Sequence, residues 1–127
     1  MTEVKIEDGN LIADIKGFDK ALTLRSEIKV AMTHVLSAEV STHAGEEIVK
    51  ETHDKPGELA HSTRIPSKAK RFGKFHDEDG MTFYDVHDTS NVIVIHLKPE
   101  DESDFVRLIL EVVNPAETVA LIQAAKI

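Results

Sequence analysis

The run TFYDVHDTSNVIVIHL (residues 82–97), continued by VRLILEVVNPAETVALI (residues 106–122), decides the fold. The polar cluster Asp88-Thr89-Ser90-Asn91 leads from one strand into the next, Val92-Ile93-Val94-Ile95-His96-Leu97, and the two read as a hairpin. After an acidic turn at residues 99–104, Phe105, Arg107, Ile109, Glu111 and Val113 alternate with Val106, Leu108, Leu110 and Val112. The second set is wholly apolar and is expected to face the core. Asn114-Pro115-Ala116-Glu117 then opens a helix. Asn is a favoured N-cap, Pro at the first helical position gives up no needed donor, and Glu117 is placed for a capping box. The helix is expected to run to about Lys126. Its apolar residues, among them Val119, Ala120, Leu121, Ile122, Ala124 and Ile127, point nearly all round the axis. Such a helix is buried on more than one side, by its own domain or by a partner.

Upstream, two runs at residues 72–76 and 81–87 flank Asp77-Glu78-Asp79-Gly80, whose Asp-Gly pair signals a tight hairpin. Leu22, Leu24, Ile28, Val30 and Met32 keep a period of two, interrupted at Ser26. Leu11, Ala13 and Ile15 do the same, and residues 17–20 read as the connecting turn. A further short strand carries Leu36, Ala38 and Val40 after the Thr33-His34 corner. From residue 41 to about 68 the pattern disappears into a polar stretch. Loops this long in compact domains are uncommon and tend to be functional or mobile. The expectation is a mainly β, single domain over residues 1–127, with about seven antiparallel strands and one C-terminal α-helix.

Composition narrows the class. The chain has 127 residues, enough for one core. Aromatics make up 5 % and Trp is absent, so aliphatic side chains must build that core and base-stacking platforms have little material. A net charge of −8 repels phosphate polyanions, so no nucleic-acid partner is expected. With no Cys there is no disulfide, thiolate nucleophile or Cys–zinc site. The start, Met1-Thr2-Glu3-Val4-Lys5-Ile6, has no secretory pattern, and no apolar run approaches the ~20 residues of a membrane span. A cytoplasmic protein without integral membrane contact is expected.

The run EIKVAMTHVLSAEV (residues 27–40) resembles the strand–corner–strand of bacterial pleckstrin-homology-like proteins. The two runs quoted first resemble small uncharacterised bacterial proteins of the same barrel class. The resemblance covers most of the chain and is weakest across residues 41–70. It implies a pleckstrin-homology-like barrel: two near-orthogonal sheets with the helix plugging one end. It also implies symmetric oligomers, and it carries over no catalytic residue. Some relatives in fold bind phosphoinositides through a basic loop after the first strand. Here that loop, Gly17-Phe18-Asp19-Lys20, holds one acid and one base.

Four constellations carry candidate chemistry. Arg64, Lys68, Lys70, Arg71 and Lys74 form a basic run without an acid, a candidate site for an anionic small molecule or lipid headgroup, or else a solvated edge. His43, His53 and His61 lie beside Glu46, Glu47, Glu51 and Asp54, but their spacing matches no metal signature. No metal or cofactor is therefore expected, and a metal-dependent hydrolase is the remote alternative. Asp85 and His87 project from one face of a strand, where a carboxylate orients an imidazole; Ser62, Thr63 or Ser90 is a candidate nucleophile, but nothing in the sequence positions one. Finally, Ala120, Leu121, Ala124 and Ile127 supply surplus apolar faces that fit a homo-oligomer contact or another protein partner. With no catalytic motif, the sequence points to a non-catalytic interaction module.

Overall fold

The structure, a computed structural model, describes residues 1–17, 26–41, 71–77, 80–87, 91–100 and 104–126; the side chains of Arg71 and Asp77 are not included. Two sheets, one α-helix and a short 3-10 turn at Met32–His34 are the elements among the described residues. The smaller sheet holds β1 (Thr2–Glu7), β2 (Asn10–Ile15) and β3 (Glu27–Ala31) in that order, all antiparallel. β1 is a strand beyond those expected from the sequence. Its turn is Asp8-Gly9, with φ of 50° and 77°, between the paired residues Glu7 and Asn10. Two positive φ values in a two-residue loop match the right-handed twist of the flanking strands.

The larger sheet is ordered β4-β7-β8-β6-β5, from β4 (Val35–Ser41), β5 (Arg71–Asp77), β6 (Gly80–Val86), β7 (Val92–Leu97) and β8 (Phe105–Glu111). The β5–β6 hairpin forms as expected, closing on the pair Asp77 and Gly80. The expected hairpin of β6 with β7 does not. β7 pairs with β4 and β8, while β6 pairs in parallel with β8. The sheet is thus mixed rather than an antiparallel meander, and the two sheets are not closed into a barrel. The physical reason is burial. Val92 through Ile95 and Leu108 through Leu110 are fully buried, and strands apolar on both faces belong inside a sheet, not at its edge.

The main core lies between the sheets and joins Leu11, Ile15 and Ile28 to Phe83, Ile93, Ile95, Leu108 and Leu110. Leu108 and Leu110 of β8, and Val112 after it, face this core as expected, but Phe105 packs against it in place of Val106, where the register with β6 shifts. The opposite face of the larger sheet is buried too, around Phe75, Tyr84, Val86, Val92, Val94 and Ile109. β4 departs from its expected phase: Val35, Ala38 and Ser41 are buried while Leu36 and Val40 are exposed. A bulge between Val35 and Ser37 takes Leu36 out of the ladder, whereas Val40 keeps the phase of Ala38, opposite Ile93.

Gly80 ends the β5–β6 turn at φ 131°, and a Cβ there would stand 2.9 Å from Val106 Cγ1. Gly80→Ala therefore combines strained backbone with a clash on β8. It should cost about 1–3 kcal/mol in urea unfolding.

The helix α1 (Pro115–Ala125) starts at Asn114 with Pro at its head, as expected, but the capping box is not formed. Asn114 makes no side-chain cap; its carbonyl instead accepts both Thr118 N–H (3.0 Å) and Thr118 Oγ1–H (2.9 Å). α1 packs on β4, β1 and β7, and buries Val119 and Ile122. It also covers the outer edge of β4. Lys126 Nζ donates to Val35 O at 2.8 Å and Leu36 O at 2.7 Å, and Gln123 Nε2 donates to Ala38 O at 3.4 Å. Among the described residues no helix is long and apolar enough to cross a membrane.

Candidate functional site

The surplus faces of α1 are where the sequence places a contact, and the fold leaves them open. Val119 and Ile122 fix one side of the helix to the core, so residues about half a turn away must point outward. Ala120, Leu121 and Ala124 are exposed; Ile127 lies outside the described residues. Leu121 is 45 % exposed. β4, the strand that α1 packs on, adds two large apolar side chains, Leu36 at its bulge and Val40 further along. Leu36 is 55 % and Val40 46 % exposed. Among the described residues the helix is therefore buried on one side only, and three large apolar groups stay exposed on two packed elements.

The basic run is placed in part. Lys74 is exposed on β5 and Arg71 opens that strand, while Arg64, Lys68 and Lys70 lie outside the described residues. So do His43, His53 and His61, together with the four acids beside them and the candidate hydroxyls of Ser62, Thr63 and Ser90. No group of three metal-ligating side chains occurs among the described residues.

Asp85 and His87 do not form the expected pair. Asp85 is fully buried and turns to the other sheet. Its Oδ2 accepts the Thr2 Oγ1 hydroxyl at 2.6 Å and stands 3.3 Å from the Met1 ammonium. Its Oδ1, also buried, has no hydrogen-bond partner among the described residues. The carboxylate that orients His87 is Glu111 on β8, 2.8 Å from Nδ1, which also accepts the His87 backbone N–H at 3.1 Å. Phe72 packs edge-on against the imidazole at 4.9 Å. Glu111 was detectable in sequence as the one acid in an otherwise apolar strand end, because a buried carboxylate needs a partner.

A carboxylate-held imidazole can shuttle protons. Among the described residues, however, no hydroxyl or metal-ligand cluster joins the His87–Glu111 pair to make a reaction centre. Elsewhere single ion pairs join His34, just before β4, to Glu100 at 2.8 Å and His96 of β7 to Glu39 of the adjacent β4 at 3.1 Å. Near β1, the Asp14 carboxylate hydrogen-bonds Lys16 and raises its pKa above 10.5. No family model matches the chain, and neither a curated protein nor a solved structure is significantly similar to it.

Proposed function

We propose that the chain is a non-catalytic interaction module of pleckstrin-homology-like kinship that works by self-association through α1 and β4. One observation carries this reading: Leu36, Val40 and Leu121 are all at least 45 % exposed on two elements that pack together. Large apolar groups gathered in this way favour a protein contact over water. Two sheets with one C-terminal helix agree with the coarse layout of that fold class, while the open sheets and the parallel β6–β8 pair depart from its barrel. A symmetric contact buries the same patch on both subunits, so each lost side chain counts twice.

Light scattering after size exclusion tests it. The wild type is expected at a multiple of 14.1 kDa that survives high salt, because an apolar interface is not screened. Leu36→Glu with Leu121→Glu should return the mass to one chain with unchanged far-ultraviolet dichroism. A wild type already at one chain, or a variant of unchanged mass, would overturn the reading.

A further inference from the structure

A cleft of about 360 Å³ lies between β3 of the smaller sheet and the end of β7 with the start of β8 in the larger one. That volume is within the range of sites that enclose small ligands. Its first wall is a strand edge. Among the described residues β3 pairs only with β2. Ile15 N–H donates to Ser26 O and Met32 N–H to Gly9 O, both at 2.9 Å, so even-numbered residues of this stretch turn their backbone groups toward β2. Backbone direction alternates along an antiparallel ladder, which leaves Lys29 and Ala31 aiming theirs outward. Both line the cleft.

Lys29 offers one N–H and one C=O in extended geometry and Ala31 adds its N–H, its carbonyl heading the 3-10 turn Met32–His34; this is the arrangement that accepts an added strand. Val30, Leu97 and Phe105 give the cleft an apolar lining, suited to every second side chain of such a strand. The rim then selects for charge. Glu100 is engaged by His34 at 2.8 Å, and its backbone N–H donates to Asp104 Oδ2 at 2.8 Å. Among the described residues the ammonium groups of Lys29 and Lys98, which also line the cleft, have no ion-pair partner. In a chain of net charge −8, two cations without an ion-pair partner among the described residues, beside a strand edge unpaired among them, favour carboxylates.

We propose that this cleft is a strand-acceptor site that binds an extended acidic peptide segment by adding it to β3. The site is independent of self-association through α1. A second copy of β3 would arrive with its own β2 attached, and the wall at Glu100 and Phe105 bounds the space on that side.

The probe is a blocked hexapeptide of alternating valine and glutamate, compared with one carrying lysine in place of glutamate. Titration followed by amide resonances should shift Lys29 and Ala31, with the lysine peptide bound at least about tenfold more weakly. Lys29→Pro removes only an outward N–H, so binding should be lost with β2–β3 pairing kept. Lys98→Glu should weaken the acidic peptide by about tenfold, and it decides the matter alone if the proline variant fails to fold. Absent shifts at Lys29 and Ala31, or equal binding of the two peptides, would overturn the site. Shifts that follow the protein's own concentration without peptide would also overturn it, by giving this edge to a second copy.

Discussion

Thr2→Val should lower the stability of the fold by about 3 kcal/mol, a large effect for one hydroxyl. The hydroxyl is 2.6 Å from Asp85 Oδ2, and Asp85 is fully buried with its second oxygen unpartnered among the described residues. Valine keeps the shape of threonine and removes only the donor. The carboxylate then retains the Met1 ammonium at 3.3 Å, a contact longer than the 2.6 Å bond it loses. A charge-assisted hydrogen bond contributes about 1.5–3 kcal/mol, and a buried carboxylate stripped of its donor costs more.

The same bond joins β1 of the smaller sheet to β6 of the larger one, so its loss should loosen the seam between sheets. Urea unfolding of Thr2→Val, Asp85→Leu and the double variant measures it as a cycle. The double variant should recover most of the loss, since an apolar pair no longer buries a charge. Equal urea midpoints for wild type and Thr2→Val would show that Asp85 is satisfied without Thr2.

The sheet-forming segments were legible where their pattern is local. Alternation and an Asp-Gly turn found β5 and β6, and Asn114-Pro115 found the head of α1. β1 carries an equally plain signal, Val4 and Ile6 between Glu3, Lys5 and Glu7, ending at Asp8-Gly9. It is recoverable by the rules that found the others. The order of strands is different in kind. Nothing local tells β6 to pair with β8 in parallel, because that choice depends on which strands bury both faces, and only the assembled core decides it. The bulge at Leu36 is likewise a matter of register: one inserted residue takes Leu36 out of the ladder, which local alternation does not reveal.

The candidate site follows the same division. That α1 has more apolar surface than one buried face consumes was visible from its composition. Its exposed neighbours Leu36 and Val40 were not, because alternation groups them with Ala38, which is buried. The Asp85–His87 pairing failed for a related reason. Residues two apart on a strand share a face only while the strand runs straight, and His87 lies just beyond the end of β6. There Glu111 of the neighbouring parallel strand reaches it first.

Ile122→Ala should cost about 3–4 kcal/mol and change how the protein associates. Ile122 is fully buried and, with Val119, supplies the apolar anchorage of α1 in the main core. Deleting most of its side chain removes transfer energy and leaves a cavity, since β4 and β7 are held by their own ladders and will not collapse into it. The consequence reaches β4, an edge of the larger sheet. Lys126 and Gln123 occupy three of its carbonyls, and an uncovered edge is a template for pairing with another chain. Loosening α1 should therefore expose this edge, and the variant should gain mass with rising concentration under conditions where the wild type does not. Lys126→Met separates the two effects. It removes the edge bonds and leaves Ile122 in place, so it should cost only about 1 kcal/mol while favouring association in the same way. If Ile122→Ala is destabilised and its mass stays independent of concentration, α1 remains docked through Lys126 and Gln123 alone, and the core contact is not what guards the edge.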